Sequence, residues 1–139
     1  MLLRFSEWLQ KTGHRKTPER FAILALIMDE SGHFTPETLY SGMKNRPYRI
    51  SRATLYNTIR LLLECGIIVR HRIHAQYNTY ERSALAANHD HMISLPGEEI
   101  IEFSHPGLQP IIEELCNLHS IQYSRHALYI WGYPKKEVQ

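Results

Sequence analysis

Seven residues make up a constellation that could bind a divalent transition metal: His33, Glu81, His89, Asp90, His91, Glu102 and His126. His89 and His91 flank Asp90 in a short extended run. In a strand, residues i and i+2 point the same way, so both imidazoles can face one ion. Asp90 then faces the other side, where it could serve a second ion with His126. Imidazole plus carboxylate suits Fe(II), Mn(II), Zn(II) or Co(II) rather than Cu(I). On spacing alone the signal is weak: an isolated HxH run is more often a pair of surface histidines.

A second set of residues is basic. Arg15, Lys16 and Arg20 precede or open one helix, Arg46, Arg49 and Arg52 surround the start of another, and Arg70 and Arg72 follow it. DNA readers need side chains that reach base edges and flanking cations for phosphates. Tyr56 can pack on a thymine methyl or bind phosphate, Asn57 could read adenine, and Arg60 could take phosphate or guanine. The alternative is a solvated basic face on an ordinary helical domain.

The elements that must position these groups are legible from punctuation. Leu2 to Lys11 is a short amphipathic helix ended by Thr12-Gly13. Thr17-Pro18-Glu19 is a helix start, with a capping hydroxyl, a proline fitted to the first turn and a carboxylate at the positive dipole end. The FAILALIM that follows is apolar nearly all round and belongs in a core. Thr35-Pro36-Glu37 repeats the signal and opens a helix to about Lys44. Ser51 caps a third strong helix, Arg52 to Cys65, closed by Gly66, with Leu55, Ile59 and Leu62 on one face. Ile67 to Ile73 and Tyr77 to Glu81 read as a hairpin. Helices followed by a β-hairpin make a winged helix-turn-helix pattern. After a linker at residues 83–88, His91 to Leu95 and Glu99 to Phe103 read as strands, Leu108 to His119 as a helix and Ile121 to Trp131 as a third long strand. The apolar residues of this second part are expected to pack into a core of its own: Ile93, Ile100, Ile101, Phe103, Ile111, Ile112, Leu115, Leu128, Ile130 and Trp131. Its open strand edges favour dimerisation.

Length and composition agree with this division. The 139 residues suffice for one compact domain or two small lobes. Residues 1–80 hold twelve Lys/Arg against six Asp/Glu, whereas residues 81–139 hold four against eight. A basic first part and an acidic, histidine-bearing second part suggest two jobs, one on a polyanion. No run of about eighteen apolar residues is present, which excludes a helical membrane span. Arg4 interrupts the apolar start, so no secretory signal is expected. Two cysteines, Cys65 and Cys116, cannot make a disulfide framework. A reducing cytoplasm is the expected compartment.

The sequence resembles the ferric uptake regulator (Fur) family of bacterial metal-responsive repressors over nearly its whole length. The matching stretches are RKTPERFAIL (15–24), HFTPETLY (33–40), ISRATLYNTIRLLLECGII (50–68), Tyr80-Glu81, HDH (89–91), IIEF (100–103) and HALYIWG (126–132). The resemblance implies an α+β fold. An N-terminal winged helix-turn-helix DNA-binding domain at 1–82 and a hinge at 83–88 lead into a small α/β dimerisation and metal-sensing domain at 89–139. It implies a hinge metal site at His33, Glu81, His89, His91 and Glu102, holding one divalent transition metal per subunit. It also implies DNA contacts from Arg15, Lys16, Arg52, Thr54, Tyr56, Asn57 and Arg60, and a homodimer on a double-stranded operator.

Departures from the family pattern shape the expectation. A second metal site usual in the family would fall on Asn88, Asp90, Gln109 and His126; two of its ligands have become amides, so it is expected to be weak or empty. Ser94 and Gly97 stand where the first CxxC pair of a structural zinc would be, and no cysteine follows Cys116, so no four-cysteine zinc is expected. Asn57 replaces the arginine common after the tyrosine of the recognition helix. The expected protein is not an enzyme. It is a cytoplasmic regulator answering to Fe(II), with Zn(II) or Mn(II) behind, and a repressor of metal-uptake genes. Peroxide-sensing relatives tend to carry Asp where this chain has Glu102. The rivals are a haem- or redox-responsive regulator, a metal-independent DNA-binding protein, and a small metallohydrolase, which would leave the DNA-binding half unexplained.

Overall fold

The computed structural model describes residues 1–47 and 49–136. The chain divides into two compact units, Met1–Leu85 and Ala86–Gln139. In the first, four helices, α1 (Leu2–Lys11), α2 (Pro18–Asp29), α3 (Pro36–Met43) and α4 (Arg52–Cys65), precede an antiparallel pair, β1 (Ile68–His71) and β2 (Thr79–Arg82). This is a winged helix-turn-helix arrangement. The caps act as their chemistry dictates: the hydroxyls of Thr17, Thr35 and Ser51 accept from the backbone N–H three residues on. Gly66 closes α4 in the left-handed conformation, φ 80°, which a side chain would strain.

Helix α2 runs through the middle of the core, with Ile23, Leu24 and Ile27 fully buried; Leu55, Leu61 and Leu62 of α4 and Phe5 and Leu9 of α1 pack with it. The Arg4 guanidinium donates to the carbonyl of Cys65 (3.0 Å), tying α1 to the end of α4.

The hairpin is shorter than the sequence pattern suggests, because the predicted strand segments 72–73 and 77–78 belong to the turn that joins β1 to β2. A third segment joins β2 on its other side. The Phe34 N–H donates to the Tyr80 carbonyl and the Tyr80 N–H to the Phe34 carbonyl, both at 2.8 Å, so Phe34 and Tyr80 form an antiparallel bridge.

The expected linker at 83–88 contains a one-turn helix, α5 (Ser83–Ala86). Beyond it, β3 (Asp90–Ser94), β4 (Glu99–Phe103), α6 (Leu108–Leu118) and β5 (Tyr129–Gly132) complete the chain. The sheet order is β4-β3-β5, antiparallel on one side of β3 and parallel on the other. Together the two units give an α+β fold.

Two expectations about the second unit need correction. The long strand Ile121 to Trp131 is not formed; only Tyr129–Gly132 pairs, because β3 offers partners only from His91 to Ser94. Residues before it make other bonds: the Ile121 N–H caps α6 through the Cys116 carbonyl, and the Leu128 N–H donates to the Asp90 carboxylate. The ten-residue apolar core is not formed either. Of those ten residues only Ile93 is buried; Ile101, Ile111 and Leu115 are 51%, 56% and 53% exposed, and Ile130 and Trp131 are exposed as well. The expected set mixes both faces of the sheet: the register puts Ile93, Ile100 and Trp131 on one and Ile101 and Ile130 on the other. Residues 137–139 of the expected tail, and Tyr48, lie outside the described residues.

Candidate metal centre and nucleic-acid face

In the first unit the candidate metal-ligating side chains centre on Glu81. The Phe34–Tyr80 bridge places the preceding His33 against Glu81, and His33 Nε2 lies 2.7 Å from Glu81 Oε2. On the other side of β2, the hairpin register sets Val69 opposite Glu81, which makes His71 its diagonal neighbour on the same face. His71 Nε2 lies 2.9 Å from the same oxygen, Glu81 Oε2. The two imidazoles stack on each other, ring centroids 4.8 Å apart. Side-chain exposure is 1% for Glu81, 3% for His71 and 13% for His33, so His71 lies deepest of the two rings. A carboxylate buried to this extent needs donors to offset its lost hydration, and the two rings supply them.

His71 was absent from the residues the sequence singled out. Its signal was the alternation of the strand: Arg70 and Arg72 are exposed, so His71 between them must point inward.

In the second unit His89 and His91 do face together, ring centroids 4.8 Å apart and nearly perpendicular. His91 is buried on β3, stacks on Tyr129 of β5 at 5.9 Å, and lies opposite Glu102 in the β3–β4 register. His89 Nε2 is 3.6 Å from Glu102 Oε1. Glu102 is the most open of this group, 55% exposed. Each unit therefore carries a His/Glu cluster whose donors fit a borderline divalent ion such as Fe(II), Mn(II), Zn(II) or Co(II).

The expected weak second site has a different character. Asp90 and His126 come together, Oδ2 to Nε2 at 3.2 Å, and the other Asp90 oxygen accepts from the Leu128 N–H at 3.0 Å. His126 Nδ1 is 2.9 Å from the Tyr123 hydroxyl. The Gln109 amide donates to Glu113, one turn along α6 (3.1 Å). The carboxylate and imidazole here thus take part in a protein hydrogen-bond chain, Asp90–His126–Tyr123.

On α4, the face opposite the core presents Arg52, Ala53, Tyr56, Arg60 and Glu64, all exposed, with Thr54 and Asn57 half-buried. Arg60 donates to Glu64 and to the Asn57 carbonyl oxygen, both at 2.8 Å. Arg52 pairs with Glu37 and lies over the Tyr40 ring at 4.3 Å. Thr54 is engaged with Ser51 in the cap. Arg15 and Lys16 are exposed before α2; Lys16 reaches Gln10 at 2.9 Å and the Arg15 carbonyl accepts from Arg20. A groove lined by Thr17, Glu19, Arg20, Arg49, Ser51, Ala53, Thr54 and Asn57 lies along the starts of α2 and α4. Two helix N-termini and two arginines, opposed by the one Glu19 carboxylate, give it a net positive field.

Comparison with known proteins settles the affiliation. The ferric uptake regulator family matches residues 11–131. The chain belongs to this family. It is 30% identical over 131 residues to the ferric uptake regulation protein of Rhizobium leguminosarum bv. viciae, covering 94% of this chain and 92% of that protein. It is 28% identical over 126 residues to the peroxide operon regulator of Bacillus subtilis, covering 91% and 86%. Among solved structures it is similar to the ferric uptake regulator of Vibrio cholerae, with a TM-score of 0.68 at 27% identity over 91% of this chain and 96% of that one.

Membership makes this chain a DNA-binding, metal-responsive transcription regulator rather than an enzyme. It is a variant without the CxxC zinc site, since it has only two cysteines and that site needs four. No helix among the described residues is long and apolar enough to cross a membrane.

Proposed function

We propose that this protein is a homodimeric repressor in the cytoplasm that binds its DNA operator when one Fe(II) ion per chain joins the two units. Zn(II) and Mn(II) are the next candidates. The observation that carries this reading is the Glu81 cluster, a buried carboxylate held between imidazoles on the DNA-binding unit, together with a separate His89/His91/Glu102 cluster on the other unit. His33 and Glu81 would supply donors from the first, and His89, His91 and Glu102 from the second. An ion bound by both favours one arrangement of the units over others, and only such a difference in affinity can couple metal to DNA.

The chain's own residues do the rest. The exposed face of α4 enters the major groove with Tyr56 and Asn57 toward the bases, while Arg15, Lys16, Arg52 and Arg60 take phosphates. With its carbonyl oxygen held by Arg60, Asn57 offers its amide N–H, which suits a guanine or thymine acceptor better than the paired contacts of adenine. The exposed apolar side chains of α6 and the sheet become the dimer contact. Metal-uptake genes are the expected targets, in keeping with the relatives named for ferric uptake.

The test is binding of DNA selected by the protein from a random pool, measured with chelator and then with Fe(II), Mn(II) or Zn(II). Metal should tighten binding in the wild type and not in Glu81→Ala or His89→Ala. Tyr56→Ala should relax sequence preference by about 1–3 kcal/mol, and Arg15→Ala should lower the salt slope by about one. Equal binding with and without metal would leave a metal-independent DNA-binding protein.

A further inference from the structure

We propose that His71 is a positioning residue for the metal centre: it holds the Glu81 carboxylate in place from behind, as a fixed donor that is not itself a ligand. The inference rests on the reading that Glu81 binds the metal. Two imidazoles point Nε2 at the same oxygen of Glu81, at 2.7 and 2.9 Å. An ionised carboxylate only accepts, so both nitrogens carry hydrogen in this arrangement. A nitrogen that binds an ion cannot keep its hydrogen, so when His33 Nε2 serves as a ligand its bond to Glu81 is lost. His71 then remains as the donor to Oε2 from within the pair.

Position separates the two rings. His33 precedes the Phe34–Tyr80 bridge and is the more exposed of the two rings. His71 is fixed within the β1–β2 ladder, is 3% exposed, and has the His33 ring stacked against it. Its cross-strand partner is Thr79, also buried. Ligating carboxylates are themselves oriented by hydrogen bonds, and loss of such a partner costs about 10–100-fold in metal affinity.

Co(II) titration of the full chain, read by its visible absorption bands, tests this with His71→Leu, His71→Gln and Glu81→Ala. His71→Leu should weaken Co(II) binding about 10–100-fold while the saturated spectrum keeps the wild-type bands, because the ligand set is unchanged. His71→Gln, whose amide reaches the same place and donates, should recover most of the affinity. Wild-type affinity in His71→Leu would overturn the proposal. So would equal weakening in the leucine and glutamine variants, which would reduce His71 to a packing role. A changed saturated spectrum in His71→Leu would make His71 a ligand and overturn positioning. Wild-type affinity in Glu81→Ala would remove the ligand reading itself, and the proposal with it, whatever His71→Leu does.

Discussion

The first unit covers most of its own apolar side chains; among the described residues of the second, every large apolar side chain but Ile93 is half-buried or exposed. Helices α1, α2 and α4 bury Phe5, Leu9, Ile23, Leu24, Ile27, Leu61 and Leu62 completely, whereas among the described residues of the second unit Ile93 is the one buried aliphatic side chain. Helix α6 has a pronounced apolar stripe, yet Ile111, Leu115 and Leu118 are 56%, 53% and 74% exposed. Three strands and one helix are too thin to enclose a core, since small assemblies bury too little surface. The same hydrophobic pattern therefore has two outcomes: a core where a second layer exists in the chain, and an open apolar face where it does not.

The polar clusters follow the same contrast. Glu81 sits in a fixed frame of backbone pairing on both sides of β2, while Glu102 stands on an edge strand and is largely in water. The frame on the first unit can hold a ligand ready. As a ligand, the second unit's carboxylate would have to be ordered by the ion, at a cost in side-chain entropy.

The contrast can be broken most severely with leucines. Leu62→Ala in the first unit should cost about 2–5 kcal/mol of folding stability, as expected for a cavity in a filled core. Leu115→Ala should change the stability of the monomer by no more than about 0.5 kcal/mol, as for an open surface position, and should weaken the dimer instead. Ile111→Asp with Leu115→Asp should give monomers in sedimentation, whereas adding chelator to the wild type should leave the dimer intact. A core-sized loss for Leu115→Ala in the monomer would mean the second unit has a core of its own. Dissociation by chelator would show that metal holds the subunits together.

The thiols sharpen the comparison at smaller scale. Burial pushes the Cys65 thiol above its ordinary pKa, and the nearby Arg4 opposes this more weakly. Cys116 on α6 is half-buried. Cys65 should be alkylated more slowly than Cys116 near pH 8, with the difference vanishing in denaturant. A folded pKa raised above the unfolded value means this group's contribution to stability is full below the unfolded pKa and is lost as pH rises toward the folded one. Cys65→Ala should therefore flatten the alkaline limb of a stability–pH curve. Equal alkylation rates for the two thiols in the folded protein would contradict the burial.

Local chemistry made the first unit readable. Thr-Pro-Glu starts, the Ser51 cap and Gly66 mark helix ends through bonds within a few residues, and α4 begins and ends where these place it. What escaped depended on contacts distant in sequence. His71 acquires meaning only when β1 pairs with β2, and the length of β5 is set by what β3 can offer rather than by the loose alternation of residues 121–131. The open face of α6 was legible as apolar but not as uncovered, because hydrophobic period reports direction and not the neighbour.

If one ion per chain draws donors from both units, as proposed, stoichiometric Co(II) titration of the wild type, Glu81→Ala and His89→Ala should give a single tight Co(II) per chain in the wild type and loss of affinity for that same ion in both variants. Two tight ions per chain, with Glu81→Ala losing one and His89→Ala the other while the remaining ion binds at wild-type strength, would contradict it.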